Sequence, residues 1–73
     1  MNKQRRKEIE DLHDDLQNLH TRLADILAEE EEYKDNLPEN MHNRIEQSED
    51  AIYSMTEATE CLAGALDYLE EIE

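Results

Sequence analysis

Seventy-three residues with a formal charge of −14 leave room for one small domain and no more. Twenty-one acids against seven Lys and Arg exclude binding to nucleic acid or an anionic membrane through basic charge. Leu and Ile total 14, with no Val, Phe or Trp, so only a regular apolar pattern can offset the charge and sustain a fold.

Residues 1–7, MNKQRRK, hold four of the seven bases and no acid, which leaves a net −18 on the remainder. This basic start runs into EIEDLHDDL rather than an apolar core, so no signal peptide is expected. No apolar run approaches the ~20 residues of a membrane span. Cys61 is the single cysteine, which excludes an intramolecular disulfide and fits a reducing cytoplasm.

Ile9, Leu12, Leu16, Leu19, Leu23 and Ile26 step by 3, 4, 3, 4 and 3; Glu30 interrupts the series and Tyr33 resumes it. This heptad seam predicts one amphipathic helix over about 3–33, roughly 45 Å long at ~1.5 Å per residue. A turn is expected at 34–37, where Asp35 and Asn36 favour it and Pro38 disfavours helix at Leu37.

A second helix is expected over about 38–72, with two possible starts. Asn36 can cap it with Glu39, or Asn43 with Glu46, the latter leaving a break near 40–44. Its seam reads Met41, Ile45, Ser48, Ile52, Met55, Thr59, Leu62, Leu66 and Leu69, with Ser48 and Thr59 as weak points. Ala51, Ala58 and Ala65 flank it at seven-residue intervals. Gly64 costs ~1 kcal/mol relative to alanine in a helix, which a close approach by another helix would explain.

The predicted fold is all-α, an antiparallel coiled-coil-like hairpin forming one domain over 1–73. Alone, the first helix is charged against its dipole, with bases at its start and EEEE at its end. Folding back brings KQRRK towards Asp67, Glu70, Glu71 and Glu73, and the glutamate run towards Arg44. A turn centred near residue 36 sets Ile9 opposite Leu62 and leaves Leu66, Leu69 and Ile72 overhanging. Ala58, Gly64, Ala65 and Ile72 are then the expected contact patch of a homodimer, a four-helix bundle.

Chemistry is sparse. His13 and His20 are two turns apart, about 10 Å, too far for one metal ion, and flank the seam. Glu29 to Glu32 point in different directions and form a solvated helix end, not a calcium loop. Glu57 and Glu60 beside Cys61 disfavour a thiolate, so Cys61 reads as a small apolar residue. Tyr53 and Tyr68 fit equally as binding anchors and as helix-edge packing. No catalytic constellation, metal site or cofactor is expected, and an enzyme is not.

At NKQRRKEIEDL, EEEEYKDNLPE and ALDYLEEIE the chain resembles a group of small uncharacterised proteins of phages and prophages of Firmicutes. The likeness covers most of the length, and its specific part is DNLPE, Asp35–Glu39. The group follows LPE with a glycine-containing polar stretch, which NMHNRIEQSED lacks, so both starts of helix 2 stay open. The resemblance implies a helical hairpin and a phage context, and no activity.

The expected function is a non-catalytic interaction module in the host cytoplasm, a homodimer that binds a protein with a basic surface. It would contact neither nucleic acid nor membrane directly. The acidic surface is assigned to Asp11, Asp14, Asp15, Asp25, Glu29 and Glu32 on the first helix. On the second it comprises Glu46, Glu49, Asp50, Glu57 and Glu60. Two alternatives are a DNA mimic that occupies the nucleic-acid groove of a host or defence enzyme, and an acidic segment that folds on binding.

Overall fold

The computed structural model describes residues 1–72; Glu73, one of the acids expected near the basic start, lies outside them. Two helices, α1 (Lys3–Asp35) and α2 (His42–Glu70), form an all-α hairpin, a rod 59 Å long and 14 by 12 Å across. Asn2 caps α1: its side-chain oxygen accepts the Arg5 backbone N–H at 2.7 Å. At the other end the Asn36 N–H donates to the carbonyls of Glu32 and Tyr33, closing the helix two residues beyond its expected end.

The corner follows the later of the two expected starts of the second helix, but with different caps. Asn36 serves α1 as its C-cap, and α2 begins at His42 after Met41, with no side-chain cap from Asn36 or Asn43. The reason is a turn in which the Met41 N–H donates to the Pro38 carbonyl at 3.0 Å. That turn occupies the residues that would have been the first turn of a helix starting at Pro38.

A longer corner resets the register. His13 meets Glu70 at 3.1 Å, Ser48 meets Glu30 at 3.1 Å and Lys34 meets Glu49 at 3.6 Å. These pairs centre the fold-back on residues 39–42, not near 36. Ile9 therefore lies beside Leu69 and Ile72, with which it lines one groove, and not opposite Leu62. The expected overhang of Leu66, Leu69 and Ile72 does not exist, and Leu66 is the buried large apolar residue of the hairpin, 7% exposed.

The charge argument is met by different residues. The contacts of this kind between the helices, among the described residues, are the His13–Glu70 hydrogen bond and the Lys34–Glu49 ion pair. Lys7 turns instead along its own helix to Asp11 at 2.8 Å. That hydrogen bond, with the Asp11 charge, holds the Lys7 ammonium above its ordinary value, but both groups are solvated and add little stability.

Gly64 is not a close-approach site within the chain, because a Cβ built there meets nothing within 4 Å. Gly64→Ala is therefore expected to stabilise the hairpin by about 0.5–1 kcal/mol through helix propensity alone. Thermal denaturation followed by circular dichroism checks this, and a lower midpoint would show that another chain abuts the glycine.

Candidate interaction surface

Each helix carries an apolar band wider than one partner covers. On α1 the half-buried positions facing α2 are Ile9, His13, Leu16, His20, Leu23, Leu27, Glu30 and Lys34. The other half of the predicted seam lies outside. Leu12, Leu19, Ile26 and Tyr33 are 51%, 48%, 50% and 46% exposed. The helix is thus rotated so that the Ile9–Leu16–Leu23 row shares the interface with the row of His13 and Lys34. The polar pairs give a physical reason: His13–Glu70 and Lys34–Glu49 tie down that side of α1.

On α2 the half-buried and buried positions include Ile45, Ser48, Ile52, Met55, Thr59, Leu62, Leu66 and Leu69, the predicted seam apart from Met41, which is exposed. Its two weak points are satisfied differently. Thr59 donates to the Met55 carbonyl of its own helix at 2.7 Å. Ser48, 2% exposed, donates to Glu30 at 3.1 Å. The interruption in one seam thus meets the interruption in the other, and a polar pair inside an apolar seam fixes register.

These contacts also settle which side of the hairpin is which. Glu30 belongs to the Ile9 row of α1 and Ser48 to the row of Met55 and Leu62, so those two rows meet. His13 and Lys34 meet Glu70 and Glu49 on the opposite side of the contact. Beyond the Glu30–Ser48 side lie the Leu12–Leu19–Ile26–Tyr33 row and, from α2, the Ala51–Ala58–Ala65 row. Beyond the other side lie Glu10, Gln17, Ala24 and Glu31, facing Glu49, Thr56, Ala63 and Glu70. One broad side of the rod is an apolar platform and the other is mixed and polar.

All eleven carboxylates of the predicted acidic surface are exposed. They do not converge. Those of α1 and α2 project from opposite flanks of the rod, away from the shared contact, and Glu49 is drawn to Lys34. Of the predicted dimer patch, Ala58 and Ala65 belong to the platform, Ile72 lies at the open end and Gly64 lies on the outer back of α2. His13 and His20 face α2 instead of solvent or the platform, and His42 opens α2. Cys61 is exposed and not packed as an apolar residue. Tyr53 and Tyr68 both project into solvent.

A groove of about 360 Å³ at the open end is lined by Ile9, His13, Leu69 and Ile72 among others. It is open to solvent. No group of three or more His, Cys, Asp or Glu suited to hold a metal ion occurs among the described residues. No helix there is long and apolar enough to cross a membrane. Comparison of the chain with protein-family models, with curated proteins and with solved structures gives no match.

Proposed function

We propose that the chain is a non-catalytic protein-binding module of phage type, homodimeric in its working form, whose carboxylate flanks engage a basic protein surface. The observation that carries this reading is the disposition of charge. Eleven exposed acids run along a 59 Å rod, and Glu49 alone of them is drawn to a base of the other helix. Carboxylates left in solvent attract a basic partner over the Debye length of ~8 Å at physiological salt and steer its approach.

A second reading, mimicry of DNA, is favoured by the same geometry. A 59 Å rod charged on two opposite flanks matches about 17 base pairs at ~3.4 Å each. Capture from a Gram-positive host lysate at low and high salt, with duplex DNA as competitor, tests both. The expected result is basic proteins retained at roughly 0.05 M salt and weakened at least about tenfold by 0.5 M. Displacement by duplex DNA selects mimicry. Capture insensitive to salt would remove both readings, since it would mean that apolar contacts dominate.

A further inference from the structure

We propose that the apolar platform is the homodimer interface: a second copy seats face to face on it, the leucine row of each chain over the alanine row of the other. Surface area, side-chain size and rim charge support this separately.

A compact chain of 8.6 kDa exposes about 4,700 Å², whereas this hairpin exposes 5871 Å², an excess of about 1,200 Å². An interface of ordinary size covers about 800 Å² per partner. The hairpin therefore has surface to lose, and its own interior, Leu66 and Ser48, is slight. The exposed Leu12, Leu19, Ile26 and Tyr33 lie together on the platform side.

The two rows complement each other. Leu12, Leu19 and Ile26 are large, Ala51, Ala58 and Ala65 are small, and both series repeat every seven residues. Large side chains set over small ones at a shared period interdigitate, and a two-fold axis makes the same fit twice. An unrelated partner would need a matching seven-residue ridge; a second copy already has it.

Charge then chooses between the two face-to-face arrangements. The outer rim of the leucine row carries Glu8, Asp15, Arg22 and Glu29, and that of the alanine row Gln47, Ser54, Cys61 and Tyr68. Stacking α1 on α1 of the other copy sets acid rims against each other. Stacking α1 on α2 of the other copy sets each acid rim against a neutral one. The second arrangement avoids setting the two net-negative rims against each other, while a two-fold axis keeps neighbouring helices antiparallel in either case.

The assignment rests on the homodimeric part of the reading above and not on what the flanks bind, so failed capture of a basic protein leaves it intact. The test is sedimentation equilibrium of the full chain and of three variants. The wild type is expected at twice 8.6 kDa. Ile26→Glu and Ala58→Glu each place a charge inside the platform and are expected to raise the dimer dissociation constant at least about a hundredfold. Gln17→Glu, on the polar side, is expected to change it less than about threefold. Ala58 is exposed in the single hairpin, so its replacement leaves the hairpin's own packing intact. A wild type that is monomeric and fully helical at tens of micromolar overturns the proposal. So does a dimer that survives both platform variants, or one lost as fully in Gln17→Glu. A monomer that a basic protein alone covers on this face also overturns it, and assigns the platform to a different occupant.

Discussion

Leu66→Ala is expected to remove most of the protein's stability at room temperature. Truncating a buried leucine costs about 2–5 kcal/mol through lost burial and the cavity left behind. A chain of 73 residues has a total stability of roughly 4–11 kcal/mol, and one with so small an interior sits at the lower end. Leu66 is the one large apolar side chain among the described residues that the hairpin buries, at 7% exposure. Few neighbouring side chains are available to collapse into the gap. Urea denaturation followed by circular dichroism at 222 nm measures the loss. A cost below about 1 kcal/mol would show that the helices are held together elsewhere.

Ser48→Asp is expected to be nearly as damaging, for an electrostatic reason. Ser48 is 2% exposed, and its hydroxyl donates to Glu30 across the hairpin at 3.1 Å. A carboxylate there removes the donor and sets a second, buried negative charge against the first. An uncompensated buried charge costs on the order of 3–5 kcal/mol. The sign of the pH dependence follows. Burial and the neighbouring charge disfavour ionisation of the introduced group, so its folded-state pKa is raised above its unfolded one. The penalty is present above the folded-state pKa and relieved as pH falls through the acid range. Melting temperatures at pH 7 and pH 4 report this: the deficit against the wild type is expected to shrink at pH 4. An equal deficit at both values would mean that lost packing, not charge, is responsible. Ser48→Ala, which leaves Glu30 to water, is expected to cost only about 1 kcal/mol.

These expectations draw on features that differed in how plainly the sequence displayed them. The face of α2 was legible because its large apolar residues from Ile45 through Leu69 fall on one row pair, while the flanking rows carry mostly small or polar side chains. That of α1 was not. Its Ile9–Leu16–Leu23 row is flanked by an apolar row on one side and by His13, His20 and Leu27 on the other. Either pairing fits a heptad. The chosen side is the one where residues far apart in the chain meet, His13 with Glu70 and Lys34 with Glu49, and periodicity along one helix does not contain those meetings. The corner was legible only as two alternatives, for a related reason. Pro38 signals a break wherever it sits, but whether it opens a helix or closes a turn depends on the Met41 N–H that its carbonyl accepts.

The carboxylates were the easiest surface residues to name and the hardest to arrange. Each is exposed as a charged residue on a thin rod must be, yet their division between two flanks depends on the rotation of both helices. Glu30 and Ser48 were each visible as an interruption. That they answer one another required the register, which only the folded chain supplies.

Isotope-filtered NOE spectroscopy on an equimolar mixture of labelled and unlabelled protein tests the central arrangement most directly. Within one copy, contacts are predicted between Ile9 and Leu69; between copies, from the Leu19 and Ile26 methyls to the Ala58 methyl. Intracopy contacts from Leu12 or Leu19 into the buried seam of α2, with no signals between copies, would contradict the rotation of α1 and leave its outer row without the role assigned to it.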